Sequence, residues 1–274
     1  MNGLRVFVQG VGLLGPGLVS WPSSQAVLRG DVPCVATPTV LPPPARLPAA
    51  ERRRAGAAIK LALAVADEAV AQSRLDPAHL ATVFTSSSGE GAHCHALCET
   101  LALAQPVVSP TRFTNSVHNA AAGCWHIAVA SRATSTSLCA FDASFSAGLL
   151  EAASVVRRTQ QPVLLVASDS PYPEPLHAVR PLADHFAVAL VLQPQATMAM
   201  LAALHIELTA PDGSSALSRC DDDALESLRV GVPAARSLPL LAALAAIATG
   251  GSGQPIHLAF PPTAGLCVTI ESAR

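Results

Sequence analysis

FTNSVHNAAAGCWHIAVASRATSTSLCAFDASFSAGLLEAASVVRR, residues 113–158, reads as four pieces in a row. A polar loop leads into a helix of small residues, Asn119-Ala-Ala-Ala-Gly123, whose slim side chains let another backbone approach closely. Ser135 to Phe141 follows as a buried strand. A second helix opens at Asp142, with Phe145, Leu149, Ala152 and Val156 as its inner stripe and Arg157 and Arg158 at the end where cations complement the helix dipole. By local rules Asp142 is the N-cap of that helix. Its carboxylate is expected to accept first-turn N–H bonds, worth about 0.5–2 kcal/mol. Strand, turn and helix in this order are the repeating unit of an α/β chain.

The same alternation extends to both sides. Upstream, Leu4 to Val8 reads as a strand, and residues 33–48 are proline-rich and irregular. Ala55 to Leu75 is an amphipathic helix with Ile59, Leu63, Ala66 and Val70 on one face and Asp67 and Glu68 on the other. A short strand, Thr82 to Thr85, then runs into a serine- and glycine-rich turn. Downstream, Pro162 to Ala167 and Ala187 to Leu192 are apolar strands. The last part of the chain is abbreviated: a strand over Met200 to Leu208, an acidic helix start at Asp221 to Glu226, an apolar helix over Ala234 to Ala248, and strands at Ile256 to Phe260 and Leu266 to Ile270. Residues 1–195 form one half and 196–274 a shorter second half of the same compact unit.

Composition excludes several classes. The 274 residues are 50% apolar and only 13% charged, enough to bury a large core. Mean hydropathy is +0.41. Seventeen Lys and Arg against nineteen Asp and Glu give a net charge of −2, leaving no basic stripe for nucleic acid. No run of about 18 apolar residues suggests a membrane span, and the start of the chain does not read as a leader, so a cytoplasmic protein is expected. Seven cysteines at irregular spacings within apolar segments fit reduced, buried thiols.

Individual motifs add little by themselves. Gly10-Val-Gly12-Leu-Leu-Gly15 has the spacing of a dinucleotide loop, but Pro16 and Gly17 interrupt the helix that such a loop requires. Glycines at a tight turn after a strand explain the run. His93-Cys94-His95 with Cys98 offers soft ligands, yet no second pair lies at a matching spacing, and no metal is expected. Asp184-His185 lies on an extended segment, where neighbours point opposite ways, and reads as structural. No serine sits in a G-x-S-x-G elbow.

Taken together and in order, these features resemble the β-ketoacyl synthases of the thiolase superfamily, and more narrowly the short chain-length-factor-like members of aryl polyene and type II polyketide clusters. The resemblance runs from Leu4 to about Leu192. It rests on Ala66-Asp67-Glu68-Ala69, the Thr85 to Gly91 turn, Asn119 with Ala122-Gly123, Ser135 in place of the family's Gly-Pro-Ser serine, and the helix end Glu151-Ala-Ala-Ser-Val-Val156. It implies a thiolase-like α/β fold, layered α-β-α-β-α, with a truncated C-terminal half. Counted back without a gap, the family's nucleophilic cysteine falls on Asp142.

That replacement matters chemically. A synthase stores its acyl chain as a thioester on a thiolate activated at a helix N-terminus; a carboxylate would give a labile anhydride. Ser144 and Ser146 lie within the next turn, but the sequence identifies no base for either. The segment Arg236-Ser-Leu-Pro-Leu sits where the family's Gly-His motif should lie and holds no histidine, while His205 and His257 fall in strand-like apolar runs. The resemblance therefore implies a catalytically silent subunit without cofactor. It would pair with an active β-ketoacyl synthase through Ser135 to Phe141 and the Asn119 region and shape the pocket of a chain carried on acyl carrier protein. Asn119, Ser135, Ser137, Cys139, Phe141 and Phe145 are the expected interface and pocket residues. Two alternatives stand beside this reading. One is a small acyl-thioester enzyme, a malonyl decarboxylase or thioester hydrolase, with Asp142 as base in an apolar setting of Phe141 and Phe145. The other is a homodimeric or stand-alone scaffold.

Overall fold

A computed structural model describes residues 3–209, 216–247, 249–250, 254–260 and 264–272. In chain order the elements are β1 (Leu4–Leu14), α1 (Trp21–Leu28), α2 (Ala49–Arg54), α3 (Ala57–Ser73), β2 (Ala81–Thr85), α4 (Gly91–Leu101), α5 (Pro110–Asn115), α6 (Ala120–Ala128), β3 (Ser135–Leu138) and α7 (Ser144–Thr159). There follow β4 (Val163–Asp169), α8 (Leu176–Val179), β5 (Phe186–Gln193), β6 (Ala202–Thr209), α9 (Asp223–Gly231), α10 (Leu238–Ile247), β7 (Ile256–Ala259) and β8 (Gly265–Ser272). The strands form one eight-stranded sheet in the order β3-β2-β4-β5-β1-β6-β8-β7. β2 runs parallel to both β3 and β4, and the remaining neighbours are antiparallel. The shorter second half extends this sheet through the β1–β6 pairing. No strand among the described residues starts a second layer of sheet.

The centre of the sheet is buried on both faces, which is why β4 and β5 read as unbroken apolar runs and not as alternating ones. Their side chains still alternate in direction. Leu164, Val166, Ala187, Ala189 and Val191 face the core beneath α3 and α6. Val163, Leu165, Phe186, Val188, Leu190 and Leu192 face the larger core beneath α7 and α10. The stripe expected on the second helix, Phe145, Leu149, Ala152 and Val156, lies in that larger core.

β1 departs from the sequence reading. In place of a strand ending in a glycine turn, it continues through Gly10 and Gly12 to Leu14. The glycines serve close packing. A Cβ on Gly10 would lie 2.1 Å from the Ala69 carbonyl oxygen, and one on Gly12 would lie 2.0 Å from that of Val65. α3 thus rests its backbone directly on β1. β6 pairs β1 only from Leu4 to Val8, and α3 side chains supply the next acceptors. The Val11 amide donates to Gln72 Oε1 at 2.7 Å and the Leu13 amide to Glu68 Oε2 at 2.8 Å, while Glu68 Oε1 accepts from Trp21 at 2.7 Å. Burial raises the Glu68 pKa, and the two amides pull it back. Glu68, read as a solvent-face residue, is a structural acceptor.

Two further expectations change. The thiols are all free, but only Cys124 is buried, and Cys94, Cys98 and Cys139 are exposed. The strand before Asp142 is shorter and more open than expected: β3 stops at Leu138, with Ser135 exposed and the rest half-buried, at the edge of the sheet.

Candidate functional site

Asp142 is not a helix cap. It lies in a 3-10 turn, Phe141–Ala143, and α7 starts two residues later without a side-chain cap. Ser144 secures the turn: its hydroxyl accepts from the Ala140 amide at 3.0 Å and donates to the Phe141 carbonyl at 2.6 Å. The Asp142 carboxylate points elsewhere, between two arginines. Arg180 Nη2 donates to Oδ1 at 2.8 Å, and Arg236 Nη2 donates to Oδ2 at 2.9 Å. The apolar setting expected around this carboxylate is therefore absent; its side chain is 35% exposed and flanked by guanidinium groups. With both oxygens engaged, it is poorly placed to take a proton from water.

Each arginine is held by its own scaffold. Arg180 follows α8, and its guanidinium lies over the Phe141 ring, 3.7 Å from the centroid, a cation–π contact. Phe141 has φ +51, costly for a bulky residue, and is 60% exposed. Arg236 sits in a second 3-10 turn, Pro233–Ser237. That turn is tied down by Asp169, at the end of β4. Asp169 Oδ2 accepts from the Ala234 amide at 2.8 Å, and Oδ1 accepts from the Ser87 amide at 2.7 Å and the Ser87 hydroxyl at 2.8 Å. Burial of this carboxyl raises its pKa against the pull of those donors. Beside Asp142 opens a cleft of about 260 Å³, lined by Val179, Arg180, Leu182, Val230 and Pro233 among others.

The remaining expected residues fall in two places. Asn119, Ser135 and Ser137 line a shallow depression of about 380 Å³ with Ala122, Gly123 and His126, where α6 meets the edge strand β3. There the Thr82 hydroxyl donates to Ser135 Oγ at 2.8 Å and lies 3.0 Å from His126 Nε2. Cys139 and Phe141 are exposed on the path from that edge to Asp142. Phe145, expected at the same surface, is instead a core residue, 1% exposed. Ser144 and Ser146 are buried, and Ser146 donates to the Ala143 carbonyl at 2.9 Å and contacts the Ala259 carbonyl. His205 pairs with Glu271 on β6 and β8, away from Asp142.

Arg180 and Arg236 are the residues the sequence reading missed. Arg236 stands in the segment where the resemblance would place a Gly-His motif, and Arg180 has no local signal at all. Glu90 was missed too. It is buried, and its carboxylate sits against Gly56, the residue before α3, which starts without a side-chain cap: both oxygens lie within 3 Å of where a Cβ on Gly56 would stand. Burial raises its pKa, opposed first by His93. Among the described residues no three His, Cys, Asp or Glu side chains gather as metal ligands. None of the described helices is long and apolar enough to cross a membrane.

Several solved structures share the fold. A ketosynthase (ApeO) in complex with its chain length factor (ApeC) from Xenorhabdus doucetiae matches with a TM-score of 0.71 at 22% identity, over 97% of this chain and 99% of that one. The ishigamide ketosynthase/chain length factor gives 0.71 at 15%, over 98% and 99%. AntDE:AntF, a type II PKS acyl-carrier protein in complex with its ketosynthase bound to the hexaketide, gives 0.76 at 14%, over the full length of both chains. No curated protein matches in sequence. The fold is thus ketosynthase-like, and the model of the β-ketoacyl synthase N-terminal domain matches residues 21–232; by that match, which runs from α1 to the end of α9, the chain belongs to the β-ketoacyl synthase family.

Proposed function

We propose that this protein is a non-catalytic, chain-length-factor-like subunit that pairs with an active β-ketoacyl synthase in the cytoplasm and shapes the pocket in which a chain carried on acyl carrier protein grows. Aryl polyene or related type II polyketide assembly is the setting that the resemblance favours. The observation that carries the reading is the Asp142 carboxylate bound on both oxygens by Arg180 and Arg236. A nucleophile has been exchanged for a closed ion-pair cluster, and the segment in which the Gly-His motif was sought supplies one of its arginines.

The pairing surface follows from the sheet. β3 is an edge strand with an unpaired side, and such edges invite another strand. Beside it, Gly123 has nothing within 4 Å of an added Cβ, and the depression around Asn119 and Ser137 leaves room for side chains of a partner. The structural similarity to ketosynthase–chain length factor complexes supports this arrangement.

Co-expression with a β-ketoacyl synthase of a type II system, followed by size exclusion and an assay with malonyl and acyl-loaded carrier protein, tests the reading. The expected result is a stable pair whose activity is lost when this chain is omitted. A ketosynthase that is soluble and fully active alone would overturn it.

A further inference from the structure

Two arginines converge on one carboxylate beside an open cleft that Asp142 and Arg180 line. From this geometry we infer that Arg180 and Arg236 form a two-point binding site for a small carboxylate and that Asp142 is its built-in occupant. The inference concerns the isolated chain and does not depend on the proposed partner.

Four observations support it. The donors are placed as a carboxylate requires, one Nη2 on each oxygen at 2.8 and 2.9 Å. Both arginines are held from outside the pair. Arg180 rests on the Phe141 ring. The turn carrying Arg236 is anchored through the Ala234 amide to the buried Asp169. The receptor is therefore built without help from Asp142. In addition, the Nε–H of Arg180 is buried with no partner among the described residues, so the guanidinium has donor capacity to spare. Finally, Asp142 is dispensable to its own helix: Ser144 fixes the turn, and α7 begins without a cap from Asp142. A side chain that is 35% exposed and anchors no backbone is held there chiefly by the two guanidinium groups.

In this view the protein fills with its own side chain a site that would otherwise accept the carboxylate of a short-chain acid or half-ester. Its chemistry is that of a planar, singly charged acceptor of two parallel or opposed N–H bonds, and the cleft of about 260 Å³ leaves room for a short acyl stem.

The test is ligand-dependent thermal stability of the full chain at fixed ionic strength, with sodium formate, acetate, malonate and inorganic phosphate as probes. Asp142→Ala should gain about 2–4 °C in midpoint as formate or acetate passes roughly tenfold over its dissociation constant. The natural chain should show no gain, and Asp142→Ala/Arg180→Ala and Asp142→Ala/Arg236→Ala should lose the response. Should Asp142→Ala fail to fold, the reading becomes acetate-dependent recovery of its folded circular-dichroism signal, with Asp142→Asn as a milder second variant. No response or recovery in either variant, an equal response from the natural chain, or a response to phosphate alone would each overturn the inference.

Discussion

Replacing Gly12 by alanine tests whether β1 is a packed central strand or a ligand-binding turn. The added methyl would sit 2.0 Å from the Val65 carbonyl oxygen, 2.8 Å from its carbon and 3.0 Å from Val65 Cα. All three are backbone atoms of a helix seated on the sheet, so no side-chain rotation relieves the clash. α3 must move out by roughly 1 Å, an overpacking change that costs about 1–3 kcal/mol and lies at the upper end when backbone meets backbone. The shift also stretches the Leu13–Glu68 and Val11–Gln72 bonds, each worth about 1 kcal/mol. A total of about 3–5 kcal/mol corresponds to a fall in melting midpoint of about 5–9 °C for a chain of this size. Urea unfolding of the purified chain measures it, with Gly123→Ala as the matched control. That residue lies in α6 with nothing within 4 Å of the new Cβ, so alanine there should be neutral or raise stability by up to about 1 kcal/mol. Gly12→Ala within about 0.5 kcal/mol of the natural chain would refute the packing argument and reopen the turn reading.

Three further outcomes are expected. Ser137→Lys, on the open edge β3, should leave the melting midpoint nearly unchanged but abolish co-elution with the ketosynthase, since lysine blunts strand edges; retained co-elution places the interface elsewhere. Glu226, bonded by Arg229 at 2.6 Å, by Arg219 and by the Cys220 amide, has its pKa held down to about 2. Its stabilisation is present above the ordinary glutamate value and lost as pH falls toward 2, so Glu226→Gln should cost about 1–2 kcal/mol at pH 7 after allowance for solvent screening and flatten the acid limb of a denaturation series. Asp169 has the opposite sign. Burial raises its folded pKa above the unfolded one, so its contribution is most favourable below about pH 4 and declines as pH rises toward the folded value. Asp169→Asn should remove that slope while turning an amide N–H toward the Ala234 amide, a loss of about 1–3 kcal/mol; an unchanged pH profile counts against it.

How much of this was legible in the sequence depends on whether the physics was local. β4 and β5 were plain because burial on both faces imposes uninterrupted apolar runs, and α7 because Phe145, Leu149, Ala152 and Val156 keep helical spacing. β1 was misread past Val8 because a glycine required by a helix pressing on a strand is written with the same letter as a glycine that turns the chain. Asp142 was misread for a similar reason. Its position before a helix fits a cap, and only the fold brings Arg180 and Arg236 against it. Glu90, from beyond β2, sits against Gly56 at the start of α3, a placement that local rules cannot find.

The same cluster bears separately on the two losses that the proposed function supposes, that of the nucleophile and that of the assisting histidines. Asp142→Cys places a thiol between two guanidinium groups, two residues ahead of the first residue of a sixteen-residue helix. Both features favour the thiolate. The new cysteine should therefore be alkylated by iodoacetamide at pH 7 faster than Cys94, Cys98 or Cys139, the exposed thiols already present, as read by peptide mass mapping. It should also accept an acyl group from an acyl thioester. Condensation should still fail, because neither group bonded to Asp142 is a histidine and Arg236, which stays protonated, holds no lone pair to serve as a base. An acylated but non-condensing variant is the expected outcome. A variant that turns malonyl units into β-ketoacyl product would show that the carboxylate alone keeps the subunit inactive.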